Sequence, residues 1–575
     1  MAWRMRGIRL SVSGGAGGTL IPWRAMARPM ASARPAKWWG WGFDDRSVPL
    51  ESRPGLYTFL KQAIDIPEGD LLRVPDKSSI KVPPSRLGES DRLEFQRIVG
   101  EDGLAFSDMN RITHGMGKSY RDLLRIRLGK LPALPDLILF PEEDEDVRRI
   151  LEWCGLWEFR VIPFGGGTSV VGGVEVADTS RPSVTLDLRR MRRVLEIDEA
   201  SLTAMAEAGI RGPLLEEELQ GHRLTTGHFP QSFEFSTLGG WIAARSTGAF
   251  SNRYGKVEDL VAGIRLVAPS GVYDLWARPR HAMGSDLLGL AVGSEGTLGV
   301  ITRATVRVHH APEARAFESF VFKDFREGLD ALRAMAQDGV PPDMAYLMDE
   351  EETRMNVAAA GGAKGVGPAI LRARGVPLDH ASILLLGYEG ARDVVKEHLG
   401  LGRRYCRAGV AAGAGPAELW FQERYDSPYL RDSLIDHRVM VDTVETATVW
   451  SNLERLYTAA CRALLDSIWS TGARGLVGCH VSHVYSEGAS LYYTFMARQR
   501  HDDEIAQYDK VKAAVTRAIL DSGGNLSHHH GIGLDHAKYL REALGDAEWR
   551  LLREVKRTLD PKGIMNPGKM FPVGG

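Results

Sequence analysis

Cysteine is scarce. The four thiols, Cys154, Cys406, Cys461 and Cys479, are scattered with no CxxC pair and no even spacing, which excludes a disulfide framework or a cysteine zinc site and fits a reducing compartment. Long hydrophobic runs are also missing. A spanning helix needs ~18 consecutive apolar residues, whereas the stretch 260–269 is already broken by Gly263 and Arg265, so a soluble or at most peripheral protein is expected. Nor is there an excess of one charge: 72 Lys and Arg stand against 74 Asp and Glu, a formal net charge of −2. The basic field of a dedicated nucleic-acid binder is absent, and no nucleic-acid partner is expected.

Acidic residues are absent from the first 43 positions, which carry six arginines, one lysine and four glycines between 14 and 18. In charge this leader resembles an organelle transit peptide; a disordered leader or a start codon placed too far upstream are the alternatives. A cytoplasmic or peripheral-membrane address is favoured, with organelle import if the leader is a transit peptide. No peroxisomal tripeptide ends the chain.

The remainder is ordinary for a globular protein. At 575 residues, 44% hydrophobic and 25% charged, it should form two or more domains with sizeable cores. From Asp136 short apolar runs follow one another (LILFP, FRVIPF, SVTLDL, RVLEID, LTAMAEAG) and read as buried strands. Between the first two, an acidic start followed by Val147, Ile150 and Leu151 predicts a helix with its negative end at the N-terminus. Beyond Pro312, helical patterns over 325–337, 393–401 and 453–470 alternate with single strands such as SILLLGYE, the pattern of a separate α+β domain.

Glycine, at 63 residues, is clustered. Pro163-Phe-Gly165-Gly166-Gly167-Thr168-Ser169 follows a strand, where successive N–H groups without Cβ atoms can cradle a diphosphate; a tight strand-to-strand turn is the plain alternative. It is neither a P-loop nor a GxGxxG fingerprint. Two further stretches share its small-residue character. One holds Ser236, Thr237, Gly239, Gly240 and Gly248 and leads into Tyr254-Gly255-Lys-Val-Glu-Asp; the other is Gly293-Ser-Glu295-Gly296-Thr297-Leu-Gly299-Val300-Ile301. Together they are candidates to line one long cofactor.

In this order, IPFGGGTS, LDLRRMRRVLEID, EFSTLGG, YGKVEDLV and GSEGTLGVIT resemble the vanillyl-alcohol oxidase superfamily of flavoproteins over about 135–308. The resemblance implies an α+β chain with a two-subdomain FAD-binding module of that type, an α+β substrate (cap) domain and a helical C-terminal segment. It places FAD's diphosphate on Gly165–Ser169. Superfamily members with covalent flavin often carry His in the slot filled here by Thr168, so non-covalent FAD is expected. The domain reading is a leader over 1–37, a mostly helical region over 38–130, the FAD-binding domain over 131–310, the cap over 311–515 and the helical segment over 516–575.

The outer motifs are similar to those of the alkylglycerone-phosphate synthase family: Lys37-Trp-Trp-Gly-Trp-Gly42, Thr226-Gly-His228, Tyr429-Leu-Arg431-Asp432, Gly488-Ala-Ser-Leu-Tyr492 and Leu526-Ser-His528-His529-His530-Gly-Ile-Gly533. The activity implied is exchange of the acyl chain of acyl-dihydroxyacetone phosphate for a fatty alcohol, without net oxidation. His528–His530 and Tyr492 are the candidates to handle protons, Arg431 to bind phosphate and His228 to help shape the site. A neutral imidazole suits a general base near pH 7. Three adjacent histidines cannot all turn into one metal sphere, and no metal site is expected. The partner expected is a lipid-like small molecule; a peripheral membrane contact and a homodimer are compatible with it. The second reading is an FAD-linked dehydrogenase or oxidase of 2-hydroxy acids, in which Arg431 clamps a carboxylate. Two positions depart from the synthase pattern: Gln231 where the family has an acid, and Tyr346 where it has an arginine before Leu-Met-Asp. Both bear on the substrate.

Overall fold

The acidic-headed segment forms helix Asp144–Trp157, with Asp144, Glu145 and Asp146 in its first turn and Val147, Ile150, Leu151 and Cys154 buried. Three carboxylates at the positive end of the helix dipole and an apolar stripe one helical turn apart explain both its start and its orientation. It packs on a four-stranded sheet in the order Leu104–Ala105, Leu137–Leu139, Ser183–Asp187, Arg160–Phe164, the last three parallel. A second, antiparallel sheet runs Gly271–Trp276, Val261–Ala268, Val300–Arg307, Thr203–Glu207, Val194–Asp198. One apolar core joins Val161 and Val184 of the first sheet to Ile264 and Val300 of the second, so the two form one module. The computed structural model describes residues 8–9, 36–276, 279, 281–364 and 367–573; the expectations for the leader otherwise lie outside the described residues.

The cap is a seven-stranded antiparallel sheet in the order Val410–Ala411, Ala314–Phe322, Ser382–Gly390, Met344–Met348, Gly475–Val481, Gly488–Arg498, Val439–Val449. Helices Phe325–Gln337, Arg392–Tyr405 and Leu453–Trp469 pack on it. The expected boundary at 515/516 falls inside helix Glu504–Asp521, whose Tyr508, Val511, Val515 and Ile519 join the cap core. The C-terminal segment also returns to the FAD-binding module, where Met565 bridges Val161 and the Asn566 amide donates to the Glu295 carbonyl at 2.6 Å.

Four helices, Pro54–Ile64, Glu89–Val99, Asp108–His114 and Tyr120–Arg127, make up most of the ordered structure before the first sheet. Ahead of them, the Lys37–Gly42 strap lies across helix Ser427–Asp436. Asp432 of that helix accepts the Trp41 N–H at 2.8 Å and lies 3.8 Å from Lys37 Nζ. A Cβ on Gly40 would sit 2.5 Å from Asp432 Oδ2, and one on Gly42, at φ +81, would sit 2.1 Å from Tyr429 Oη. The motif is a strap that fixes a helix.

Candidate active site

Strand Arg160–Phe164 delivers Gly165–Gly167 to the carboxyl end of the parallel sheet, where open α/β sheets place ligands. The amides of 165–169 donate to no acceptor among the described residues. Five successive free donors form an anion cradle. A Cβ on Gly165 would lie 2.3 Å from Thr237 Oγ1, and one on Gly166 would lie 2.1 Å from the Phe235 carbonyl oxygen; only glycine lets this loop lie against the 235–237 segment. The residues present therefore suit a diphosphate cofactor, on the loop where the sequence placed it.

One cavity of about 670 Å³ collects most of the anticipated residues: Pro163, Gly165–Ser169, Ser236, Thr237, Gly239, Gly240, Gly248, Glu295, Gly296, Gly299, Val300 and Ile301 on one side, with Arg431, Tyr492, His529 and His530 on the other. Five lie outside its lining. Tyr254 is buried and donates to Glu389 Oε1 at 2.7 Å; Gly255, at φ +84, makes room for Asp259; Thr297 bonds back to the Ser294 carbonyl. His228 stands one layer behind the wall, its Nε2 2.7 Å from Ser246 Oγ, and burial pushes its pKa down to about 3. His528 turns away from the cavity toward Tyr485. Tyr254, Gly255 and Thr297 thus turn to protein partners rather than to the cavity, whereas His228, behind the wall, stands where it can help shape the site, and His528 reaches the cavity only through its neighbour His529.

The histidine loop is held by carboxylates. Glu445, on strand Val439–Val449 opposite Tyr492, accepts the Ser527 hydroxyl at 2.6 Å and the amides of His528, His529 and His530 at 2.5, 3.2 and 2.8 Å. Burial pushes its pKa up, but the neighbouring His529, His530 and His528 imidazoles, and then the Ser527 hydroxyl, hold it well below the usual carboxylate range. At the far end Glu295 accepts the amides of Ile532 and Gly533 at 2.6 and 2.7 Å, while burial pushes its own carboxyl up to about 7. Lys256 of the YGKVED motif donates to the His528 carbonyl at 2.8 Å. Two motifs read in the sequence as cofactor contacts thus each lend a side chain to this loop. Burial pushes His529 down to about 3 and His530 to about 4, so both rings are neutral near pH 7. Glu445, His528 and His529 each present a potential metal ligand within 4.8 Å of one another. Two adjacent histidines do converge, which the sequence reading did not anticipate, but the Glu445 carboxylate is occupied by the four donors named above.

Rings continue the wall. Trp420, Tyr346, His480, Tyr492 and His529 form a row with successive centroid separations of 4.9, 4.1, 4.7 and 5.8 Å. Glu352 Oε1 ties it together, accepting the Tyr346 hydroxyl at 2.6 Å and contacting His480 Nδ1 at 2.8 Å. Strand alternation predicts His480 and His483 on opposite faces, yet both line the cavity; the strand stops at Val481, so the period of two no longer applies to His483. Arg431 reaches the cavity from the strapped helix, and its Nε and Nη2 are buried without a hydrogen-bond partner. The same cavity wall holds apolar side chains, among them Trp41, Leu56, Met355, Leu419, Leu434 and Met496.

Residues 135–274 match the family model of the FAD binding domain, and residues 311–570 match that of the C-terminal domain of FAD linked oxidases. The cofactor is FAD. The chain is 35% identical to the alkyldihydroxyacetonephosphate synthase of Dictyostelium discoideum over 92% of its own length and 88% of that protein. It is 33% identical to the synthase of Trypanosoma brucei brucei over 93% and 92%. A solved alkyldihydroxyacetonephosphate synthase structure superposes with a TM-score of 0.79 at 31% identity, covering 93% of this chain and 99% of that one. The chain belongs to the alkyldihydroxyacetonephosphate synthase family. The fold of p-cresol methylhydroxylase is also shared, at a TM-score of 0.64 and 14% identity, which places the family on the expected α+β flavoprotein architecture.

Within that family, Tyr346 fills the position where the sequence comparison anticipated an arginine, and it is committed to the ring row and to Glu352. Gln231 lies in the cavity wall. Glu445 and Met355 escaped sequence reasoning, because they come from segments far apart in the chain, a strand and a helix that only the folded cap brings to one site.

Proposed function

We propose that the chain exchanges the acyl group of an acyl-dihydroxyacetone phosphate for a fatty alcohol, making an ether lipid. The observation that carries this reading is the unpartnered Arg431 guanidinium, which shares one cavity with a set of apolar side chains and two neutral imidazoles. A guanidinium with free donors suits a phosphate oxyanion, the apolar wall suits an alkyl chain, and neutral His529 and His530 suit proton removal and return. A 2-hydroxy acid needs the cation but not the apolar wall.

FAD, when bound, supplies an acceptor that can take up and return an electron pair within one turnover. The chain's own parts do the rest. Residues 165–169 would hold the diphosphate through their free amides, and Ser236, Thr237, Gly239, Gly240, Gly296, Gly299, Val300 and Ile301 would line the remainder of the cofactor. Thr168 offers no imidazole for attachment, so the flavin is held without a covalent bond. Arg431 fixes the phosphate end of the substrate, and Tyr346, taken up by stacking, leaves that charge to Arg431. Tyr492, whose hydroxyl donates to Thr443 Oγ1 at 3.1 Å, shapes the wall between Arg431 and His529. No helix among the described residues is long and apolar enough to cross a membrane; a peripheral contact that feeds lipid to the apolar wall belongs to the same proposal. The test is incubation of purified holoenzyme with palmitoyl-dihydroxyacetone phosphate and labelled hexadecanol, with product identified as ether or not.

A further inference from the structure

His529 faces the cavity, but its other ring nitrogen faces protein. His529 Nδ1 lies 3.0 Å from His528 Nδ1, and His528 Nε2 lies 2.7 Å from the Tyr485 hydroxyl. Two imidazole nitrogens at that distance share one proton. Tyr485 is half-buried at the start of the turn holding the exposed Ser486 and Glu487; burial, and then the charges of Glu258, Asp259, Glu487 and Glu445, raise its hydroxyl above the ordinary phenol value. The three groups therefore run from the cavity wall to a half-buried tyrosine beside the exposed Ser486 and Glu487, without a gap longer than 3.0 Å.

We propose that His529, His528 and Tyr485 form a proton relay that joins the active-site cavity to solvent. The proposal rests on the ether-exchange reading and assigns His529, rather than His530, as the group that meets the substrate proton. Glu445 and Lys256 keep the relay in place by holding the His528 backbone from both sides.

Two arrangements of the same protons are available. In one, the Tyr485 hydroxyl donates to His528 Nε2, His528 Nδ1–H donates to His529 Nδ1, and His529 Nε2–H points into the cavity. In the other, His528 Nε2–H donates to the Tyr485 oxygen, His529 Nδ1–H donates to His528 Nδ1, and His529 Nε2 offers a lone pair. The first delivers a proton to the leaving fatty acid as its C–O bond breaks with the electron pair on oxygen; Tyr485 takes a replacement from water, and the relay is left in the second arrangement. The second accepts the O–H proton of the fatty alcohol as the alcohol oxygen's lone pair forms the new C–O bond; Tyr485 returns a proton to water, and the first arrangement is restored. One proton enters and one leaves per turnover, nothing is oxidised or reduced, and the relay ends where it began. Because burial disfavours the charged imidazolium at His528 and His529, concerted transfer suits this site better than a stored charge.

The test uses the holoenzyme and two readouts. In the first, Tyr485→Phe is compared with wild type for ether formation in H₂O and D₂O, across concentrations of an imidazole buffer. The relay predicts a loss of turnover of about tenfold, below the roughly 10²–10⁴-fold of a group that itself meets the reacting proton, with a larger solvent isotope effect, recovery by buffer and an unchanged flavin spectrum. A purely structural tyrosine would give neither the isotope effect nor the recovery. Turnover, isotope effect and buffer response equal to wild type would overturn the proposal. In the second, ¹⁵N-histidine NMR of the wild-type holoenzyme, assigned with His528→Gln and His529→Gln, should show one protonated and one unprotonated Nδ1 in a hydrogen-bonded pair. Two unprotonated Nδ1 atoms would overturn the relay even if Tyr485→Phe fails to fold. If the wild type makes no ether product, the functional reading falls, while the NMR result still decides whether the hydrogen-bonded chain exists.

Discussion

Replacing Arg431 by methionine should change stability and activity in opposite directions. The side chain keeps a similar apolar stem but loses a guanidinium whose Nε and Nη2 are buried and unpartnered. A buried donor left without a partner costs roughly 1–3 kcal/mol, so without substrate the Arg431→Met enzyme should be at least as stable as wild type, by about 1–3 kcal/mol at most. In the complex those donors meet phosphate oxygens. Hydrogen bonds to charged groups contribute about 1.5–3 kcal/mol each, so losing two costs roughly 3–6 kcal/mol, or about 10²- to 10⁴-fold in kcat/KM at about 1.4 kcal/mol per decade. Thermal unfolding of the FAD-loaded protein with and without dihydroxyacetone phosphate separates the two effects. Wild type should be protected by the phosphate compound and Arg431→Met should not. Equal protection of both proteins, with kcat/KM within a few-fold, would show that the phosphate lies elsewhere.

Gly166→Val should fold but lose FAD, measured as flavin absorbance after gel filtration, because any Cβ there meets the Phe235 carbonyl oxygen at 2.1 Å and pushes the loop out of place. Flavin should be released from wild type by acid or heat, leaving an unlabelled chain by mass spectrometry. Glu445→Gln should retain FAD yet lower turnover by roughly 10²-fold, the cost of a small misplacement of the reacting groups, since an amide cannot accept from Ser527 and three loop N–H groups as the carboxylate does. The protein should be acid-sensitive: burial lowers His228, His483 and His529 to about 3 and His530 and His536 to about 4. Folded-state values below the ordinary imidazole value mean that this contribution is intact above about pH 6.5 and is lost as pH falls toward 3. Near pH 5.5 each such histidine costs about 1.4 kcal/mol, so urea midpoints should fall steeply from pH 7 to 5.5.

The fold was legible where apolar period and glycine placement agree. Val147, Ile150 and Leu151 on a helix of acidic start, and the strand before Gly165, needed no tertiary information. Arg431 was legible as a cation in a recognisable motif, although its lack of a partner was not. The errors share a cause. Tyr254, Gly255 and Thr297 belong to motifs that border the cofactor cavity, but their own side chains or turns face inward to Glu389, Asp259 and Ser294; a motif's position does not give the direction of each residue in it. Glu445 went unnoticed because a lone carboxylate on a strand carries no local signal of the four loop donors arriving from about eighty residues later. The boundary at 515/516 failed because the apolar stripe of helix Glu504–Asp521 continues unbroken through it.

The central claim is ether formation at a site built by Arg431, the apolar cavity wall and the histidine loop. Purified FAD-loaded protein given palmitoyl-dihydroxyacetone phosphate and labelled hexadecanol, with a dye acceptor present, measures it directly. The account predicts labelled alkyl-dihydroxyacetone phosphate, stoichiometric free palmitate and no dye reduction. Dye reduction by 2-hydroxy acids with no labelled ether would contradict it.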